Sequence, residues 1–561
     1  MQETETACYR RRLKTLHNEW VSKGWQSHCQ EVVDYVAPFR GRYLNGTSAD
    51  QKNDGSKKHQ KIINNTASRA AMICANGLNS GLTPHWSPWF LFTLQDEDLA
   101  EFGPVREWLH NVRNAILTIL SRSNFYSAVH DIYQELVHFG TGTMIIDEDL
   151  EEYLQCRPLT VGEYYLSLDG RYKPGSLYRQ LSLTAGQIRE LFGQGKDKLD
   201  GLPKEVVTAI QKNQIDQNFE VGHVIEKASF TQYGKADYRG WPYKSCYFPL
   251  TGDENVVYRK HGYRSRPFIA ARLMGHQEDA YGYGISMETL GDIKGLQQEE
   301  RDKLEALRKM IRPPMNGPAS MKTQGGSILS AAINWIPDNH TGKGFTPAYQ
   351  VDPRMHEIRQ EIAATEERIR DSYYVKMFLA VLGLEKRDVT AYEIAKRYEE
   401  KAIVLGPMME RLDSEVRSPT IERVFSIATE NFWLPPPPPD LPVGTPIRVE
   451  YISSLSQAQK VVQGQPLQEF IGVVGGMIEA FPEIRDKIDA DEVVDQLGVN
   501  YNVPPKVIRS DDRVIEIRTE RAKAEQAQQL LESAKPVADA VKALGNTPQG
   551  ESTVLDQLTG Q

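Results

Sequence analysis

Apolar positions along this chain repeat with two different periods, and the places where the period switches divide it into regions. Residues 5 to about 82 carry apolar positions at helical spacing, including Leu13, Trp20, Val32 and Val36. Ala67 to Gly77 predicts an Ala-rich helix ending near Gly77 or Gly81. Pro104 to Phe139 predicts two amphipathic helices, with Val105, Leu109, Val112, Ile116, Leu117 and Leu120 mostly three or four apart. Gly140-Thr141-Gly142 then turns the chain into a short strand at Met144–Ile146. From there to Ile269 the pattern mixes short strands rich in Tyr, Val and Phe with one helix around Ala185–Phe192, an α+β region.

The period then becomes helical over much longer runs. Ser286–Ile311 predicts a helix about 39 Å long. Leu290, Ile293, Leu296, Leu304, Leu307 and Met310 form a thin apolar seam, and charged residues crowd the other faces. Gly291 and Gly295, one turn apart, leave room for a neighbour. Pro313-Pro314 stops this helix, and a stretch rich in Gly, Pro, Ser and Asn follows, with a strand-like Ile328–Ile336 inside it. Asp352-Pro353 starts a second long helix to about Tyr374, roughly 33 Å, with Met355, Ile358, Ile362, Ile369 and Tyr373 as its seam. Met377–Gly383 reads as an apolar loop.

Thr390–Phe425 is the most telling run. Thr390 and Glu393 have the spacing of a capping box, and Gly406-Pro407 breaks a single long helix near its middle. Pro419 adds a second break. Pro435–Pro439 is a stiff connector, Ile447–Ile452 a strand, and Ser456–Ile488, Asp491–Leu497 and Val514–Ala534 are mainly helical. The tail from Gly545 is expected to be mobile.

With 561 residues, several domains are expected; 40% hydrophobic and 25% charged residues are ordinary for a folded soluble chain. No run approaches a membrane span, and no apolar segment follows Arg10–Arg12, so no secretory signal is expected. The five cysteines are scattered, as buried or free thiols would be. A net charge of −9 disfavours a general tight nucleic-acid binder but suits a conduit that encloses DNA without gripping it.

Catalytic patterns are missing. There is no G-x-x-x-x-G-K-[ST]; Thr341-Gly-Lys-Gly lacks the upstream glycine. Gly282-Tyr283-Gly284 lacks the third glycine of a dinucleotide site and reads as a turn. No metal-ligand spacing or nucleophile elbow occurs. Glu299-Glu300 and Glu366-Glu367 lie on long polar helices, where a solvated or inter-subunit face is the plainer reading. No cofactor, metal or catalytic residue is expected.

The order of parts resembles the portal, or head-to-tail connector, proteins of tailed bacteriophages, in the form typical of short-tailed phages. Tyr35-Val-Ala-Pro38, Asn65–Ala71, Gly140–Thr143, Pro267-Phe268 through Arg272, Tyr281–Gly284 and Leu290–Lys294 are similar to family segments. So are Thr390–Ile394 with Arg397 and Glu399, and Tyr451–Leu455 with Ala458-Gln459. Ile285 departs from the pattern, which has proline there.

The resemblance implies an α+β, mainly helical subunit, one of a ring of about twelve at a capsid vertex. Double-stranded DNA is packaged and ejected through the ring without sequence specificity. It implies a wing over 1–285, stem helices over 286–312 and 352–374, and a clip over 313–351. A channel loop over 375–389, a kinked long helix and return over 390–455, and a helical crown over 456–561 complete it. It implies a virion protein assembled in the host cytoplasm, with no enzymatic activity. The expected partners are a packaging ATPase (terminase), tail adaptor and tail proteins, the major capsid protein and scaffold, and no membrane. Candidates facing DNA are Lys376, Met377, Phe378, Leu379, Lys386, Arg387, Glu361, Glu366 and Glu367; clip candidates are Lys322, Lys343 and Trp335; the kink is Gly406 and Pro407. For each basic residue, a solvated charge or inter-subunit ion pair is the plainer alternative. Two other functions remain open: a different oligomeric tail subunit, and a DNA-handling ATPase, against which the missing P-loop stands.

Overall fold

Thr4 opens the first helix of this chain: its Oγ1 accepts the Ala7 N–H at 3.3 Å, capping α1 (Glu5–Ser22). The computed structural model describes residues 4–44, 55–96, 99, 102–195, 198–228, 231, 237–318, 329–336, 346–347, 355–381, 406–439, 441–442, 444–452, 472, 474, 491, 493–494 and 513–526. Contacts divide the chain into two units. The first holds Met1–Phe92, Asn111–Pro436 and Arg448–Gln463; the second holds Thr93–His110, Pro437–Ile447 and Gly464–Gln561.

In the first unit α2 (Trp25–Tyr35) and α3 (Thr66–Leu82) follow α1. The helical stretch expected from 5 to 82 is interrupted, because the described residues of 36–65 form turns and extended chain. Of the two ends expected for α3 the later holds: the helix runs to Leu82, beside Gly81, and passes through Gly77. A Cβ there would lie 2.1 Å from the Phe378 ring, so this glycine seats a neighbouring side chain. After β1 (Phe90–Leu94) come α4 (Gly103–Arg122) and α5 (Phe125–Phe139), close to expectation.

Two antiparallel sheets follow. Strands β2 (Thr141–Asp149) and β3 (Tyr153–Leu159) pair with the later β9 (Phe268–Arg272) in the order β3-β2-β9. Strands β4 (Tyr164–Leu168), β5 (Pro174–Thr184), β6 (Asn218–Lys227), β7 (Tyr243–Pro249) and β8 (Arg259–Tyr263) form a meander in sequence order. Between β5 and β6 lie α6 (Ala185–Phe192), started by a Thr184–Gln187 capping box, and α7 (Lys204–Gln211), which the periodicity missed. Ile145, Phe268 and Ala270 of the first sheet share a core with Leu166, Leu177 and Ile225 of the second. All five cysteines are free, and only Cys8 is exposed.

The long helices come next. The first is interrupted at Thr289 into α8 (Ile285–Glu288) and α9 (Leu290–Ile311). The excursion holds β10 (Met315–Pro318), β11 (Ile333–Ile336) and β12 (Thr346–Pro347) in the order β11-β10-β12, so the strand expected over 328–336 is shorter and pairs with β10, which also pairs with β12. The second long helix is α10 (Met355–Ser372), followed by α11 (Val375–Val381). The chain is described again as helix from 406, through a widened turn at Asp413–Arg417 into α12 (Ser418–Glu430), and then β13 (Ile447–Tyr451). Ile452 N–H donates to Trp89 O at 2.8 Å, tying the returning strand to the start of β1.

In the second unit, residues 513–526 are helical and mostly exposed, and Arg518 forks onto both oxygens of Asp491 at 2.7 and 2.8 Å. No helix among the described residues is long and apolar enough to cross a membrane.

His223 reports on the packing of the meander. Arg179 Nε donates to its Nδ1 at 2.9 Å, so the proton sits on Nε2, which donates to Ser245 Oγ at 2.8 Å. Burial, and then the Arg179 charge, hold this imidazole well below its ordinary pKa. The unfolded chain takes up a proton here near pH 6.5 and the folded chain does not. Stability is therefore present above that pH and falls below it, by about 1.4 kcal/mol per pH unit. Chemical denaturation of unassembled H223Q and wild type tests this. The gap between them should narrow by about that amount per unit from pH 6 to 4.5; a constant gap means the folded imidazole is protonated.

Candidate functional site

Helices α9 and α10 lie along one another, and their seam is covered only in part. Ile293, Leu296, Ile362 and Ile369 are buried. Farther along α9, Leu304 is 43%, Met310 47% and Ile311 76% exposed. Nothing in the described chain comes within 4 Å of a Cβ placed on Gly291 or Gly295. An apolar stripe left open on a long helix is a surface for a neighbour.

A loop before α3 clamps the covered half. Gln297 is 3% exposed; its Oε1 accepts the Ile63 and Asn64 N–H groups at 2.7 and 2.9 Å, and its Nε2 donates to Asn64 O at 2.8 Å. Asn64 Nδ2 in turn donates to Glu300 on α9 at 3.2 Å and to Glu366 on α10 at 2.8 Å. Thr365 Oγ1 adds a bond from α10 to Glu299 at 3.2 Å.

At the base of the pair, two glycine motifs far apart in sequence meet. Gly140, at φ 72°, ends α5 in a left-handed turn. A Cβ on it would lie 2.1 Å from the Tyr283 carbonyl carbon, and one on Gly284 would lie 2.7 Å from His138 O. Thr141 Oγ1 accepts the Gly282 N–H at 2.8 Å. One residue into α8, Ser286 Oγ accepts from Tyr373 OH at 2.8 Å and lies 3.2 Å from His138 Nδ1. Burial holds His138 down to about 3, so its ring is neutral and Nδ1 accepts the Ser286 proton. The start of the first long helix and the end of the second thus meet at one buried point.

The apolar stretch after α10 is a correction. Met377–Gly383 was expected as a loop, but Val375–Val381 is helical, because Val375 and Phe378 have a core to join. Phe378 is 3% exposed and packs on Gly77, so its side chain is unavailable to anything in a channel. Met377 and Leu379 are half-buried. Lys376 is exposed but paired with Glu367, and with Asp371 at 3.2 Å. The same bond holds the Glu367 carboxyl below its usual range. Glu366 also binds Arg370 at 2.7 Å, whereas Glu361 is exposed. Lys386 and Arg387 lie outside the described residues, as do Lys322 and Lys343; Trp335 is on β11, partly exposed.

Gly406 and Pro407 begin the next described helix; Thr390–Leu405 lies outside the described residues. The irregularity that can be located is at Asp413–Arg417, where Ser418 N–H reaches back five residues to Asp413 O. Pro419 explains it: the wider turn relieves the clash between its ring and the carbonyl four residues earlier. The widened turn carries Glu415, which meets buried Arg272 with two oxygens, at 2.6 and 3.3 Å. Arg417 pairs with Asp413 and stacks 4.4 Å over the Tyr451 ring. Arg423 donates to Ile146 O at 3.3 Å and Ser265 Oγ at 2.8 Å. Three arginines therefore pin this helix to the sheets and to the returning strand. Sequence reading missed them, together with Asn64, Gln297 and Ser286.

Among the described residues no group of three or more His, Cys, Asp or Glu side chains could hold a metal ion. The arrangement is mechanical: a rigid base, paired long helices and an open apolar stripe.

Comparison with known proteins agrees. Residues 8–508 match the family described as "Bacteriophage head to tail connecting protein". The "Portal protein" of Salmonella phage epsilon15 is 33% identical over 559 residues, covering 100% of this chain and 98% of that protein. The "Probable portal protein" of Bordetella phage BPP-1 is 32% identical over 558 residues, with the same coverage. A chain of the "Virion of native gene transfer agent (GTA) particle" aligns with a TM-score of 0.35 at 11% identity over 73% of this chain and 86% of that one, a level that carries no argument about fold. The chain belongs to the bacteriophage head-to-tail connecting proteins: it is a phage portal protein, the structural and non-enzymatic connector at the capsid vertex. It is a virion component of the head–tail junction, and membership implies an oligomeric ring in contact with capsid and tail components.

The Arg272–Glu415 pair offers a test of the pinned helix. Glu415→Ala leaves a buried guanidinium uncompensated and should cost about 3 kcal/mol by chemical denaturation. Arg272→Met with Glu415→Leu removes both charges and should cost clearly less. Equal losses would mean that packing, not charge, holds the contact.

Proposed function

We propose that about twelve copies close into a ring of the short-tailed phage type, through which double-stranded DNA is packaged and ejected. In this reading α8–α9 and α10 are the stem, 313–351 the clip, 375–389 the channel-facing segment, and 456–561 the crown. The observation that supports it most is the open half of the α9 seam, Leu304, Met310 and Ile311, together with the unfilled space over Gly291 and Gly295 nearer the start of the helix. One subunit leaves these positions uncovered, and a neighbouring copy around a ring covers them.

The channel candidates in this reading are Glu361, Glu366, Glu367, Lys376, Met377, Leu379, Lys386 and Arg387. Those already paired within the subunit, Glu366, Glu367 and Lys376, present a nearly neutral surface to DNA, and residual charge is screened within about 8 Å at physiological salt. The clip, with Trp335, Lys322 and Lys343, meets the packaging ATPase and tail adaptors in turn. The crown side meets the capsid and scaffold.

Electron microscopy of purified protein tests the reading: rings with a central hole are expected, and compact monomers at assembly concentrations contradict it. Leu304→Asp with Met310→Asp should reduce ring yield at least about tenfold while leaving the subunit's melting temperature within a few degrees, since both positions are exposed. Normal rings from this variant would place the subunit contact elsewhere.

A further inference from the structure

A groove of about 1300 Å³ in the first unit lies between the turn joining β4 to β5 and the helical residues 407–423. We propose that it binds the phosphate backbone of nucleic acid without sequence preference. Seven basic and four acidic side chains line it, in a chain whose net charge is −9. A local excess of this sign against the global one is what a polyanion seeks.

The pairing of these charges sharpens the point. Arg272 is taken by Glu415, and Arg423 by Ile146 O and Ser265 Oγ. The other five, Arg171, Lys173, Lys227, Arg266 and Arg411, form no ion pair among the described residues. On the acidic side, Glu415 is neutralised by Arg272, and Asp169 Oδ1 is held by the Arg171 and Lys173 N–H groups at 2.8 and 3.0 Å. Asp169 keeps its charge and faces Lys227 and Arg171, so Asp169, Glu410 and Glu422 oppose five cations that form no ion pair among the described residues. Arg266 is the most telling. It is half-buried, stacks over Phe268 at 5.6 Å, and its one side-chain hydrogen bond among the described residues goes to Pro174 O at 3.3 Å. A guanidinium held in place by one carbonyl keeps its other donors for an anion.

Arg171, Lys173 and Lys227 are exposed in the lining and give a phosphate chain its first contacts. Gln277 is the one side-chain amide in the lining, too few to read base edges.

The test uses the full chain and a fluorescent duplex of arbitrary sequence, by anisotropy across a salt series. R171A/K173A/K227A changes three exposed side chains. It should bind about tenfold or more weakly at 100 mM salt, with the slope of log K against log salt smaller by roughly 0.9 per lost phosphate contact. Unchanged affinity and slope overturn the proposal. So does tighter binding of polyglutamate than of DNA at equal charge, which would make an acidic protein segment the occupant. The groove stands apart from the ring: rings of normal yield with unchanged DNA binding refute the groove alone.

Discussion

The contact on which the rest of the subunit depends is a close approach of two backbone segments. Gly140 and Gly284 let the end of α5 and the start of α8 approach until no Cβ fits between them. The approach sets the direction in which the first long helix leaves the sheets, because Leu273 and Gly282 N–H groups bond across it to Gly140 O and Thr141 Oγ1. Ser286, two residues on, joins Tyr373 at the far end of the second long helix and neutral His138. Side-chain contacts repack when a neighbour shifts; a backbone contact with no side chain in it has little freedom to do so. A subunit that must repeat the same angle around a vertex gains from such a joint.

Charge is used differently in different places. The paired helices look acidic in sequence, yet Glu366 and Glu367 are engaged by Arg370, Asn64 and Lys376. A face made of short ion pairs holds little net field beyond a Debye length. The groove beside the widened turn does the reverse and leaves its cations unpaired. The arginines that pin α12 are buried and bonded, so they contribute position rather than surface potential.

Much of the fold was legible because helical spacing and proline stops are local signals. Ala185–Phe192, the α4–α5 pair and the two long helices follow from them. What was not legible depends on partners distant in sequence. Gly77 looked like a helix end because nothing local reveals that Phe378 occupies its vacant side. Val375–Val381 looked like a loop for the same reason, since its core lies on α3, some 300 residues earlier. Gly140-Thr-Gly and Gly282-Tyr-Gly were each noticed as turns, but only the fold brings them together. The second break, expected at Pro419, shows as the widened turn at Asp413–Arg417, because a proline disturbs the turn before it; the break expected at Gly406-Pro407 adjoins residues outside the described ones. Family membership followed from the order of parts, whereas the arginine pins and the Gln297 clamp left almost no mark on the sequence.

The most direct test of this account is ring assembly by Gly284→Ala, scored by electron microscopy alongside circular dichroism of the unassembled chain. A single methyl group there meets His138 O and Gly140 N within 3 Å and must shift the start of α8. The expected result is a subunit of near-native helix content that forms few or no closed rings. Closed rings at wild-type yield would show that the glycine joint does not set the angle of the long helices, and would contradict the account.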